Sequence, residues 1–223
     1  MTANRLTPYQ GNDLSWLRTT HQFTHYAQLA SIEQLEDIMQ YASQKGLKTY
    51  FLGNGSNTLF ARSQINTIVL KNNMPRFIIP LGNECFEIST STPVMQVLRY
   101  CLRHKLDSFY YLASVPATIG GAIAMNAGRG RKYHLSIFDY IESITLVRNG
   151  QKQTVARNSL KVGYRSTPFT GIQDTFIISA VLAAAGGAQI SKLALVCPQI
   201  PAFDAPSPDS RGEALLLKAL SSR

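Results

Sequence analysis

The stretch "LGNGSNTLF", Leu52 to Phe60, places two glycines, two asparagines and a serine between apolar residues. An ordinary surface turn needs one or two such residues. Five together describe a backbone that must come close to another group. Glycine lets the main chain approach a neighbour, and the short polar side chains add local hydrogen-bonding capacity. The residues just before, "KTYFL", have the composition of a buried strand, so the motif is a loop leaving that strand.

Upstream, "SIEQLEDIMQYASQKG" predicts a helix. Ser31 is placed to cap it with Gln34 reaching back, Ile32, Leu35, Ile38, Met39 and Ala42 share one face, and Gly46 suits the stop. With "YAQLA" before it as a short strand, residues 26–52 read as a strand–helix–strand unit, and residues 1–25 as a polar arm. The unit lacks G-x-G-x-x-G after its first strand, which argues against a Rossmann site. Downstream, "NTIVL", "RFIIP", "CFEIST", "IESITLV", "QKQTVA" and "TFIISAVLAA" read as strands, with "LGNE" and Asn149-Gly150 as turns. "TPVMQVLRYCLRHK" reads as a second amphipathic helix with Thr92 as N-cap and Pro93 at its first position. After Ala188 the pattern weakens into a Pro-rich extended run and one short terminal helix.

A second unusual stretch, "ASVPATIGGAIAMNAG", is small almost throughout. A helix beginning near Thr118 would carry Gly120 and Gly121 in its first turn, where free N–H groups and the local dipole favour phosphate. Asn126 and Gly128 then close the segment with a tight bend. Either loop alone is equally compatible with a plain tight turn. The two together favour a cradle for a pyrophosphate, yet neither matches the P-loop pattern.

Composition narrows the class. The chain has 223 residues, 45% apolar and 16% charged, which suits one large domain or two lobes sharing a core. The longest apolar run, Phe176 to Ala188, is too short to span a bilayer, and the first ten residues lack the apolar centre of a secretory signal. Both features predict a cytoplasmic protein with no membrane partner. Cys85, Cys101 and Cys197 are isolated and odd in number, so no disulfide framework is expected, and no metal site is expected from His21, His25, His104 and His134. The formal charge of +9 favours anionic partners such as nucleotides, but the basic residues are scattered, and a solubility charge is the simpler reading.

"LGNGSNTLF", "SVPATIGGAIAMNAG" and "GYRSTPF" (Gly163 to Phe169), in that order, resemble the FAD-binding domain of the UDP-N-acetylenolpyruvoylglucosamine reductase (MurB) family. That domain belongs to the wider vanillyl-alcohol-oxidase (PCMH) type, and the likeness runs from about residue 20 to residue 185. The resemblance implies an α+β fold with two lobes, 1–80 and 81–188, and FAD between them. Residues 189–223 would form a short tail in place of the family's substrate-binding domain. It implies a pyrophosphate seated on Gly53, Asn54, Gly55, Ser56 and Asn57. Ser114, Pro116, Thr118, Gly120, Gly121 and Asn126 would line the flavin side. In the family NADPH reduces FAD and hydride then passes to an enolpyruvyl group in peptidoglycan biosynthesis. Arg165 matches the arginine that polarises the substrate carboxylate, and Tyr164 beside it is either a site residue or a packing aromatic.

The resemblance also breaks at definite places. The family's proton-donating serine and late glutamate have no matching motif after Ala188, which leaves water, Tyr164 or His134 as proton sources. Where the family continues with an Ala-Tyr-Gly-like turn, this chain has "RGRKYH". Arg129, Arg131 and Lys132 therefore either meet an anion or face water. The implied function is an FAD-dependent oxidoreductase acting on a small anionic substrate. The alternative is a non-catalytic FAD-binding or partner-complemented subunit, and a weaker one a basic nucleic-acid binder, which would want a clustered basic face. An open cleft implies a homo-oligomer or a partner protein that covers it.

Overall fold

The computed structural model describes residues 6–129, 135–171 and 174–184. The first sheet contains β1 (Thr7–Gly11), β2 (His21–Leu29), β3 (Thr49–Leu52), β4 (Gln64–Ile65) and β5 (Ile68–Asn72). Its order is β1-β2-β5-β3, with β4 paired to β2. β2, β5 and β3 run parallel, and β1 is antiparallel to β2. Residues expected to be an irregular arm thus supply one full strand and the start of another. Their alternation was hidden because β1 is an exposed edge with a bulge between Thr7 and Tyr9. Tyr9 folds back so that its hydroxyl donates to Asp13. That bond, ahead of burial, pushes the Tyr9 phenol up to about 12.

Helix α1 (Ile32–Lys45) crosses between β2 and β3. Ser31 Oγ accepts the Gln34 N–H at 3.2 Å, and Gly46 closes the helix at φ 63°. Gln34 reaches back one residue further than a capping box requires, accepting from Ala30 N–H at 2.9 Å. Leu35, Ile38 and Ala42 are buried against Ala27, Leu29, Ile68 and Leu70. Val69, on the opposite face of β5, packs with Phe23, Tyr26 and Leu52.

The chain then enters a second, fully antiparallel sheet through β6 (Ile78–Gly82) and β7 (Cys85–Ser89). Helix α2 (Val94–Arg103) and helix α3 (Ile119–Ala124) follow, then a small ribbon of β8 (Gly128–Arg129) and β9 (Leu135–Ser136). β10 (Ile141–Arg148), β11 (Gln151–Ala156) and β12 (Thr175–Ala183) complete the order β11-β10-β12-β7-β6. The β10–β11 hairpin turns at Asn149 and Gly150, both at positive φ, as a two-residue turn of this twist requires. α2 and α3 bury Val97, Leu98, Ile119 and Ile123 against this sheet.

The cap of α2 differs from expectation. The helix starts one residue later, with Pro93 at the N-cap and no side-chain cap bond. Thr92 instead joins a buried hydroxyl cluster, 2.7 Å from Ser89 Oγ. Burial at a lobe junction recruits the hydroxyl that a solvent-exposed helix end would have kept.

The two sheets share apolar contacts. Val147 and Phe176 of the second sheet join the cluster under α1, and the Phe51 and Phe176 rings lie 5.1 Å apart. Polar bonds tie the same seam: Asn72 Nδ2 donates to Thr90 Oγ1 at 3.1 Å, and Thr90 Oγ1 donates to Ile177 O at 2.6 Å. The expected terminal helix and Pro-rich run lie outside the described residues.

Candidate functional site

The two small-residue loops meet at the seam. A Cβ added to Gly53 would lie 2.5 Å from Thr118 Oγ1, so only glycine allows this approach. Asn54 Nδ2 donates to Pro116 O at 3.1 Å and bridges the loops directly. Gly55 faces the other way. It sits at φ 66°, and a Cβ there would run into Leu14 O. The Trp16 N–H donates to Gly55 O at 3.2 Å and Ser15 Oγ to Thr58 O at 2.6 Å. The residue-14–16 segment therefore braces the loop from behind. Among the described residues, the N–H groups of Gly53 through Asn57 donate to no backbone carbonyl or side chain of the protein. Asn54 and Asn57 are exposed and Ser56 is half-buried.

The start of α3 departs from expectation. Its first N–H groups are not free: Ile119 donates to Thr92 O at 2.8 Å, Gly120 to Thr90 O at 2.9 Å, and Gly121 to the Thr118 hydroxyl at 3.3 Å. The helix is six residues long, and its first turn is spent on the protein itself. The uncommitted amides of this cradle are those of the Gly53–Asn57 loop. Gly120 is small because Thr90 Cβ would stand 3.0 Å from any Cβ there. Gly121 has an open face, with only Thr118 Oγ1 within reach, at 3.5 Å. Gly53, Asn72, Thr90, Thr118, Gly121 and Phe169 are among the lining residues of a cleft between the sheets, and none of the described lining side chains is charged. Ser114 is exposed and Pro116 half-buried.

The third motif forms a tight turn against the far end of α3. Gly163 and Ser166 exchange backbone bonds of 2.9 and 3.2 Å, leaving Tyr164 and Arg165 at the tip. Arg165 adopts φ 55°, a left-handed conformation that non-glycine residues hold only under constraint. The constraint is visible. Asn126 Nδ2 donates to Gly163 O at 2.7 Å, and Arg165 donates to Asn126 O at 3.4 Å and to Gly128 O. Thr167 and Thr170 hydroxyls both donate to Ala124 O, at 2.8 and 2.6 Å. The turn thus satisfies carbonyls that α3 leaves open at its C-terminal end. Tyr164 is 61% exposed, with the Arg165 guanidinium 5.6 Å from its ring centre. Asn126 is 8% exposed, and its Oδ1 is buried without a partner.

Of the expected site residues, Gly53, Thr118, Gly120 and Gly121 line the cleft, Asn54 meets Pro116 across the loops, and Asn126, Tyr164 and Arg165 line a separate recess at the turn. His134, Arg131 and Lys132 lie outside the described residues. Asn72, Thr90 and Phe169 also line the cleft, and sequence reading singled out none of the three as a site residue. "KNN" and "STST" look like ordinary strand ends and become neighbours only because the chain crosses between sheets there. No cluster of three or more metal-ligating side chains occurs among the described residues.

A family model described as "FAD binding domain" matches residues 23–157, more than half the chain. The chain belongs to the FAD binding domain family. UDP-N-acetylenolpyruvoylglucosamine reductase from Aquifex aeolicus is 27% identical over 159 residues, covering 70% of this chain and 52% of that protein. The enzyme of that name from Exiguobacterium sibiricum is 30% identical over 158 residues, covering 67% and 51%. Among solved structures, MurB from Thermus caldophilus aligns with TM-score 0.64 and 18% identity over 87% of this chain and 69% of that one. A cholesterol oxidase from Brevibacterium sterolicum aligns with TM-score 0.56 and 15% identity over 82% and 38%. The chain spans about half the length of the sequence relatives it matches.

The FAD binding domain has what its cofactor asks of it. The uncommitted amides of Gly53–Asn57 suit a pyrophosphate, and the open face of Gly121 admits a ring system against the backbone. FAD is the cofactor of this domain.

Proposed function

We propose that the chain is an FAD-dependent oxidoreductase of the MurB kind, moving hydride to or from a small anionic substrate that docks at Arg165. The observation that carries this reading is the fixed turn at Gly163–Ser166. It spends hydrogen bonds and a strained φ to hold one guanidinium beside the end of α3. When bound, FAD supplies the hydride chemistry. The protein's part is to hold and orient. The Gly53–Asn57 loop takes the pyrophosphate, with Ser56 and Asn57 side chains adding bonds. Ser114, Pro116, Thr118, Gly120, Gly121 and Asn126 shape the flavin side. Arg165 keeps N–H groups beyond those spent on backbone carbonyls, and a planar guanidinium suits a carboxylate. Tyr164 covers it from the solvent side. NADPH is the reductant in this reading, the setting is cytoplasmic, and the lobes divide near residue 80.

The exposure of Tyr164 at the tip of the turn favours a second reading, in which another protein or a second copy completes the site. One experiment separates the two. The purified protein should be yellow, and NADPH should bleach the flavin anaerobically. An acceptor resembling the relatives' enolpyruvyl substrate should then restore the colour. Arg165→Ala should lower turnover about 100-fold, the scale of losing one transition-state donor, with flavin absorbance unchanged. Loss of flavin in that variant would assign Arg165 to cofactor retention instead. A bound flavin that NADPH cannot reduce would turn the argument toward the partner-completed subunit.

A further inference from the structure

The recess beside the Arg165 turn carries a pattern that holding a flavin does not explain. Arg129 and Arg165 both line it, with Ser136 and Tyr164, and none of the described lining residues is acidic. The Asp139 carboxylate near its edge is turned to the Ser136 N–H at 2.9 Å. Gly128 keeps the floor low, because a Cβ there would strike Leu135 O of the paired strand. The wall is Asn126, more than nine-tenths buried. Its Nδ2 is committed to Gly163 O, which fixes the amide's orientation and leaves Oδ1 as an acceptor with no donor. Two cations, Arg165 held by backbone carbonyls and Arg129 exposed beside it, together with one unmet acceptor, are not the complement of a bare monoanion. A lone carboxylate would answer one guanidinium and leave both Arg129 and the amide oxygen unanswered.

We propose that this recess binds a small dianion bearing a hydroxyl or N–H next to its charge, with Arg129 and Arg165 taking the charges and Asn126 Oδ1 accepting the donor. The proposal rests on the reading that a substrate anion docks at Arg165. It adds Arg129 as the residue that selects for a second charge.

Four probes test it with the full-length flavin-loaded protein, by calorimetric titration and by shifts of the flavin spectrum at pH 7.5. Malate has two charges and a hydroxyl, succinate two charges only, lactate one charge and a hydroxyl, and propionate one charge only. Malate should bind tightest. Succinate and lactate should each be weaker by roughly tenfold, the scale of one charged hydrogen bond. Arg129→Gln should bring malate to the level of lactate and leave lactate unchanged. Malate no tighter than succinate would overturn the role of Asn126. Equal loss of malate and lactate in Arg129→Gln would overturn that of Arg129. Failure of all four to bind a yellow protein would remove the subsite while leaving the flavin reading intact. A colourless protein would instead strike the reading on which the proposal rests.

Discussion

At the scale of single residues, the glycines of the cradle are required for different reasons, and substitution separates them. Gly55 is set by positive φ and by Leu14 O behind it, Gly120 by Thr90, and Gly121 by nothing among the described residues beyond an ordinary contact. Gly55→Ala and Gly120→Val should therefore destabilise the fold itself, by about 1–3 kcal/mol, the usual cost of overpacking. Flavin should be lost as a consequence, and thermal unfolding of the cofactor-free protein should report the drop. Gly121→Ala should leave that cofactor-free stability within about 1 kcal/mol, since alanine favours a helix over glycine. Any fall in its flavin affinity then measures ligand contact alone. Equal destabilisation by Gly121→Ala and Gly120→Val would contradict the assignment. The sequence displayed these glycines clearly. It did not display which neighbour each one makes room for, because Leu14 and Thr90 reach them from distant parts of the chain.

At the scale of elements, local signals read well and shared ones did not. Helix α1 was legible from its cap, its apolar face and its stop, all of which act within the helix. The start of α2 was read one residue early because the Thr92 hydroxyl is claimed by Ser89 across a buried junction. The start of α3 was placed well, but its amides were expected to be free. They are instead consumed by Thr90 O and Thr92 O, carbonyls that arrive from the segment before α2. Thr118 is the element-scale residue most open to test. Its hydroxyl caps α3 and its side chain closes on Gly53. Thr118→Val keeps the shape and removes the cap, and should cost about 1 kcal/mol. Thr118→Ser should restore most of it. Chemical denaturation of the three proteins checks the order.

At the scale of the whole molecule, the two sheets are joined through one apolar cluster and one polar seam, so they should unfold together. Phe176→Ala would open a cavity between α1's cluster and β12, and should cost about 3–5 kcal/mol. Far-ultraviolet circular dichroism and tryptophan emission should still lose signal in a single shared transition. Two separated transitions would show that the sheets are independent. Burial also sets the titration behaviour. Burial pushes the Cys101 thiol up to about 11, so at pH 8 it should resist alkylation in the native protein while half-buried Cys85 is modified first. Peptide mapping distinguishes the two. Burial likewise raises the Asp107 carboxyl, opposed in part by the Ser108 N–H. A raised carboxyl favours the fold while protonated, and that contribution is lost as pH rises through the folded-state value. Asp107→Asn should therefore be more stable than the parent at neutral pH, with the gap closing toward the ordinary carboxylate range. The fold class was readable because three ordered motifs sit on its turns. The recess around Arg129 was not, since its second wall comes from a paired strand that no local pattern announces.

Trp16 is the chain's single tryptophan, and its main chain is bonded to the back of the loop at Gly55. The indole itself is 54% exposed. The molecule's one strong fluorophore thus stands behind the loop proposed to seat the flavin. Energy transfer from that ring to an isoalloxazine makes the protein's intrinsic emission a running gauge of occupancy, readable without dye, tag or coupled assay.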